Sequence, residues 1–120
     1  MYCYRFDTKP FPSEQFLGVA HADDLPWVFS NLEGRGYDVN PFQDAPQRYF
    51  DLAEEMSRRW VSFAHDGSPQ VDGLPTWPVY GKHSLALVFA GNATISWIEK
   101  DVFRKDGIDM LWRARGELLV

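Results

Sequence analysis

"SLALVFAG", residues 84–91, decides the fold class of this chain. Apolar side chains occupy both the odd and the even positions of the run, so a strand built from it presents apolar residues to both faces of a sheet. Such a strand is typical of a sheet that helices cover on both sides. A sheet of that kind needs more chain than the 120 residues present. The run therefore predicts an α/β architecture that is incomplete as a domain.

A helix at about 45–65 is the strongest periodic feature of the sequence. Apolar residues recur there at spacings of three and four, which is the pattern of one helix face. Asp44 and Gln47 resemble a capping box at its start, and Gly67 is suited to a left-handed residue at its end. The predicted face consists of Tyr49, Leu52, Ala53, Met56, Trp60, Phe63 and Ala64.

The remaining elements are shorter. The aromatic run "YCYRF" (2–6) predicts a strand, and a short helix is expected from about Asp23 or Asp24, with Pro26 in its first turn. Glycines and prolines predict a loop over 66–82. The tail, about 99–118, has a helical pattern that Gly107 is expected to interrupt. The strands lie far apart, and none forms an obvious hairpin.

Composition excludes several functions. The net charge of −5 argues against a nucleic-acid partner, because such partners need a basic face. No apolar run is long enough to span a membrane, and the first residues lack the pattern of a secretory signal peptide. The single cysteine, Cys3, excludes an internal disulfide and a cysteine metal cluster.

His21 is the candidate residue for chemistry. It follows three small residues and precedes two acids and an apolar run, in "GVAHADDLPWVF" (18–29). A catalytic histidine needs a nucleophile and an orienting carboxylate. No serine lies in a G-x-S-x-G elbow: Ser68 follows Gly67, but no second glycine is in place. His65 and His83 lie in unrelated segments, and no metal-ligand spacing or cofactor motif exists.

A structural interpretation of each of these residues also stands. A lone loop histidine is more often structural or merely exposed than catalytic. Asp23 and Asp24 suit a helix start, where the helix dipole favours carboxylates, and are expected to face that start or solvent. The large aromatic residues suit a core better than a ligand site, and they are Trp60, Phe63, Trp77 and Trp112.

The order of the motifs resembles the C-terminal quarter of the type-B carboxylesterase and lipase family, the cholinesterase-like branch of the α/β-hydrolase fold. Five stretches match in order over nearly all of the chain. They are "YCYRFD" (2–7), "LGVAHADDLPWVFS" (17–30), "SRRWVSFAHDGSPQ…LPTWPVY" (57–80), "SLALVF" (84–89) and "DMLWRAR" (109–115). The resemblance makes 1–120 the C-terminal part of that domain, with the catalytic-histidine segment at about 15–30, the terminal strand at 84–91 and the closing helix at about 99–118.

The resemblance also implies roles for single residues. His21 falls on the family's catalytic histidine, and Asp24 falls on its usual glutamate, one methylene shorter. Ala22 and Ser30 stand where the family commonly has glycines. In the family the chain order is serine, acid, histidine, so the nucleophile, the acid and the oxyanion hole would lie upstream of residue 1.

The expected function is that of a C-terminal segment of a carboxylic-ester hydrolase, which supplies the triad histidine and is inactive alone. The partner of the full-length protein would be a carboxylic-ester small molecule or lipid. Secretion would be compatible with the family, and "NAT" (92–94) matches an N-glycosylation sequon at Asn92. The alternatives are a fragment of a non-catalytic, cholinesterase-like adhesion or interaction protein, which keeps the fold and loses the triad, and a small free-standing binding module.

Overall fold

A computed structural model describes residues 1–8, 18–36, 38–91 and 96–118. It contains three strands and three helices, in the order β1 (Tyr4–Phe6), α1 (Leu25–Val28), α2 (Gln47–Asp66), β2 (Leu85–Phe89), β3 (Trp97–Lys100) and α3 (Lys105–Leu118). The sequon at Asn92 lies outside the described residues.

The strands form one sheet in the order β1-β2-β3. β1 runs parallel to the central strand, with Phe6 opposite Phe89, and β3 runs antiparallel to it, with Leu87 opposite Ile98. The expectation that no strand forms a hairpin was therefore wrong for β2 and β3, which are neighbours in sequence and in the sheet. β2 is buried on both faces, as its apolar pattern predicted, since Ala86 to Phe89 are all at most 4% exposed.

Helix α2 packs against the sheet through one apolar stripe. Tyr49, Leu52, Ala53 and Met56 are buried in the same core as Leu87 and Phe89 of β2. The C-terminal half of the stripe is less covered, because Phe63 is 50% exposed. The prediction that part of this apolar face would remain exposed is therefore confirmed.

Of the two predictions for the ends of α2, one is confirmed and one is wrong. Gly67 closes the helix with φ of 70°, and its amide donates to the carbonyl of Phe63, as predicted. The prediction of a capping box formed by Asp44 and Gln47 was wrong. The N-cap residue is Pro46, which makes no side-chain cap, and Gln47 instead donates to Asp51 in the next turn.

The tail differs most from its prediction. Residues 97–100, partly inside the expected helix, form edge strand β3, and α3 then runs through Gly107 without interruption. Trp112 was expected in the core but is 62% exposed. Isolated glycines cost a helix only about 1 kcal/mol, which the flanking residues of α3 offset.

Candidate active site

His21 lies in a turn that precedes α1 and is exposed to solvent. The turn is closed by backbone hydrogen bonds, from the Asp23 amide to the Ala20 carbonyl and from the Leu25 amide to the Ala22 carbonyl. Its imidazole makes no hydrogen bond or ion pair with any residue in the described ranges. No serine or carboxylate among those residues stands in triad geometry with it. The exposure of His21 and its place outside regular strand, just before a short helix, agree with the prediction.

The two acids after His21 accept hydrogen bonds from different parts of the chain. Asp23 accepts a hydrogen bond from the Ala20 amide at 2.7 Å, so it closes the turn from within. Asp24 accepts a hydrogen bond from the Tyr4 hydroxyl at 2.6 Å, so it fastens the turn to β1. The expectation that both acids face the helix start or solvent was wrong for Asp24. Its main-chain carbonyl, not its side chain, accepts the first amide hydrogen bonds of α1, from Trp27 and Val28.

Tyr4 is a partner that sequence reasoning missed. Its pKa is raised by burial first, and then by the hydrogen bond to Asp24 and the charge of that carboxylate. The hydroxyl therefore stays protonated and acts as a donor well above neutral pH. No local pattern could have paired Tyr4 with Asp24, because twenty positions separate them.

The backbone around His21 is left-handed at two residues other than glycine. Ala22 has φ of 69° and Ser30 has φ of 49°. These are the two positions at which the resembled family commonly has glycine. Residues with a Cβ adopt such angles at a cost of roughly 1–2 kcal/mol. Both positions therefore have the backbone shape expected of glycine although they carry side chains.

Trp27 holds α1 in place. Its indole is 1% exposed and lies against the rings of Phe6, Phe42 and Tyr49, with centroids 5.1, 5.2 and 5.8 Å away. Pro26 occupies the first turn of the helix, as predicted. The segment after His21 is therefore anchored in the core, while His21 itself projects from it.

The other candidate residues are not brought to His21. His65 lies at the end of α2, where its Nδ1 pairs with Asp66, and exposed His83 lies in the turn before β2. Burial, followed by the charge of Asp101, raises the pKa of the Cys3 thiol, which opposes a nucleophilic role. In the described ranges, no group of acids, histidines and cysteines could hold a metal ion. Nor is any helix of these ranges long and apolar enough to cross a membrane.

A buried polar network was also missed by the sequence analysis. Arg59, which is 0% exposed, donates to Glu55 on the same face of α2, and Glu55 also accepts a hydrogen bond from Ser96. The available signal was the i, i+4 spacing of two opposite charges within the apolar stripe. This network lies in the core and supports the fold rather than His21.

Comparison with known proteins assigns the family. Residues 1–100 match the model of the carboxylesterase family. Mouse carboxylesterase 5A is 32% identical over 99% of this chain and 22% of its own length. Phenmedipham hydrolase of Pseudarthrobacter oxydans is 27% identical over 89% of this chain and 22% of its own length. The chain thus spans about a fifth of the length of these relatives.

Solved structures agree with the sequence comparison. The crystal structure of a carboxylesterase from Geobacillus stearothermophilus matches with a TM-score of 0.67 and 34% identity. The match covers 89% of this chain and 21% of that protein. The prediction of part of an α/β-hydrolase fold is thereby confirmed. On its sequence, its strand and helix arrangement and its solved relatives, the chain belongs to the carboxylesterase family.

Proposed function

We propose that this chain is the C-terminal segment of a serine carboxylesterase and that His21 is its catalytic histidine. The observation that carries the proposal is the placement of His21. An exposed imidazole without a partner among the described residues projects from a turn fixed by Asp23, Asp24 and Trp27. In a member of this family, such an imidazole is free to engage a serine supplied by another part of the protein.

The chemistry would follow the serine-hydrolase scheme. The imidazole of His21 takes the proton of a serine hydroxyl as the serine oxygen attacks the ester carbonyl carbon. It then gives that proton to the departing alcohol, which leaves an acyl-serine. In the second half, His21 takes a proton from water, the hydroxide attacks the acyl group, and the serine regains its proton as the acid is released. The substrate class is a carboxylic ester of a small molecule or lipid.

The remaining groups would come from outside these 120 residues. No G-x-S-x-G elbow occurs in the sequence, and the family order places serine and acid before the histidine. Without a nucleophile or an oxyanion hole, His21 has no positioned hydroxyl to activate, so the general-base contribution, on the order of 10²–10⁴-fold in a complete site, is not realised by the chain alone. We therefore expect the isolated chain to show no esterase turnover above background.

Hydrolysis of a p-nitrophenyl ester by the purified chain and by His21→Ala tests this expectation. Equal background rates support the proposal, whereas robust turnover abolished by His21→Ala would mean that the chain carries its own nucleophile. The coding sequence upstream of Met1 gives a second test. An in-frame G-x-S-x-G favours the esterase, and an upstream α/β-hydrolase sequence without that serine favours the non-catalytic adhesion or interaction protein.

A further inference from the structure

The hydrogen bond between Tyr4 and Asp24 joins two parts of the chain that local structure does not connect. Tyr4 is the first residue of β1, and Asp24 ends the turn that carries His21. The hydroxyl-to-carboxylate distance is 2.6 Å, which is the short range of a charge-assisted bond. Within the described residues, this is the side-chain hydrogen bond that ties the His21 turn to the sheet.

The tyrosine end of this bond is held firmly. The Tyr4 ring meets Trp60, Trp77 and Phe89 edge to face, with centroids 5.0, 6.0 and 5.9 Å apart. Three aromatic neighbours fix the ring plane and therefore the direction of the hydroxyl. The Tyr4 side chain, although 36% exposed, therefore packs against three rings of the core, and Asp24 is the residue through which the turn is attached to it.

We propose that Tyr4 and Asp24 are positioning residues that hold the His21 turn in register with the sheet; this inference rests on the proposed role of His21. Misplacing a catalytic group by about 1 Å can cost 10²-fold in rate, so a turn outside regular structure needs such an attachment. Asp23 fixes the shape of the turn through Ala20, whereas Asp24 fixes its location. With both acids engaged, neither has to orient the imidazole, and His21 remains free for partners elsewhere.

The test uses the 120-residue chain and does not depend on catalysis. Tyr4→Phe keeps the ring and removes the hydroxyl, Asp24→Ala removes the acceptor, and Asp24→Asn keeps an acceptor oxygen. Tyr80→Phe is the matched control, because the Tyr80 hydroxyl donates to Asp101 at 3.0 Å in a separate tyrosine–aspartate pair. Amide hydrogen exchange of Asp23 and Leu25 and NMR relaxation of the His21 imidazole report on the turn directly.

The expected result is faster exchange at Asp23 and Leu25, by about tenfold, and a more mobile His21 ring in Tyr4→Phe and Asp24→Ala. Asp24→Asn should recover much of the wild-type protection, and Tyr80→Phe should leave the turn unchanged. Unaltered exchange and ring relaxation in both Tyr4→Phe and Asp24→Ala would overturn the proposal. So would a change of equal size in Tyr80→Phe, since it would indicate general loosening. A turn that loosens as expected, while His21→Ala leaves hydrolysis unchanged in an active esterase into which this chain has been grafted, would refute the proposed function and leave the attachment intact.

Discussion

Arg59 and Glu55 form an ion pair inside the core, with 2.9 Å between Nε of the arginine and Oε1 of the glutamate. The other guanidinium nitrogens donate to the carbonyls of Pro69 and Pro75, and Ser96 donates to the second carboxylate oxygen. The pair therefore joins α2 to the loop that follows it and to the residue before β3. Burial of two charges is tolerated here because their polar atoms are supplied with partners.

Replacing Arg59 by methionine should destabilise the chain by about 3–5 kcal/mol, since the Glu55 carboxylate would stay buried without its cation. Urea unfolding followed by circular dichroism measures the change. The neighbouring Arg58 is the matched control, because it is exposed and lies 3.9 Å from Glu54. Arg58→Met should change the unfolding free energy by less than about 1 kcal/mol. Equal effects of the two substitutions would show that the buried network contributes little.

Ala22→Gly should stabilise the chain by about 0.5–1 kcal/mol. Glycine adopts the observed φ of 69° without steric cost, and this gain exceeds the added entropy of the unfolded chain. Ala20→Gly, in the same turn, is the control, because Ala20 is not among the residues with positive φ. It should be neutral or destabilising. Urea unfolding of both variants checks the sign, and a destabilised Ala22→Gly would contradict the described turn.

Gly91→Ala should destabilise the chain by about 1–3 kcal/mol. A Cβ at this position would stand 2.6 Å from Thr8 Cγ2 and 2.8 Å from Tyr49 Cε1, so both side chains would have to move. Gly107→Ala in α3 provides the opposite case, because nothing lies within 4 Å of its added Cβ. It should stabilise helix α3 by about 0.5–1 kcal/mol. Thermal unfolding should separate the two variants, and tolerance of Gly91→Ala would show that this contact is loose.

Tyr4 should make stability fall at alkaline pH. Its pKa in the folded chain is raised above the usual value of about 10, chiefly by burial and then by the hydrogen bond and charge of Asp24. Its contribution is therefore complete below about pH 10 and is lost as pH rises through the folded pKa. The difference in unfolding free energy between wild type and Tyr4→Phe should shrink over that interval.

Absorbance at 295 nm tests the same shift directly. Subtracting the Tyr4→Phe titration from the wild-type titration isolates the Tyr4 phenol, whose midpoint should lie above that of an ordinary tyrosine. Asp24→Asn should lower this midpoint without restoring the ordinary value, because burial remains as the first cause. A midpoint at or below about 10 would refute the described environment.

Hydrophobic periodicity and turn residues correctly predicted those parts of the fold that depend on local sequence. Helix α2 and its glycine end were predictable because an amphipathic stripe and a left-handed residue are local properties. The start of α2 was not, because Pro46 lies in extended backbone with φ of −60° and ψ of 145° and displaces the start beyond the expected capping box. Strand β3 was missed because its identity depends on pairing with β2, for example Ala86 with Glu99.

In the candidate site, too, some features follow from local sequence and others depend on tertiary contacts. The small-residue turn and the family resemblance singled out His21, and its place just before a short helix follows from sequence. The contact between Asp24 and Tyr4 could not be predicted, because it depends on how the sheet brings β1 beside the turn. The burial of Arg59 was overlooked although its i, i+4 spacing from Glu55 was visible in the sequence, since a charge within an apolar stripe is expected to reach solvent.

The central claim is that His21 is the catalytic histidine of a carboxylesterase. A graft tests it most directly: this chain replaces the segment of the Geobacillus stearothermophilus carboxylesterase with which it aligns. Hydrolysis of a p-nitrophenyl ester is measured for the graft, for His21→Ala and for His83→Ala, which removes another exposed histidine. Circular dichroism and gel filtration establish that each protein is folded.

An active graft should lose at least about 10³-fold in kcat on His21→Ala, because general-base catalysis of serine attack disappears. His83→Ala should leave the rate within about twofold of the parent graft, well under the roughly 1.4 kcal/mol that a tenfold change represents. A folded graft without activity, or one whose His21→Ala variant hydrolyses the ester as fast as its parent, would contradict the claim.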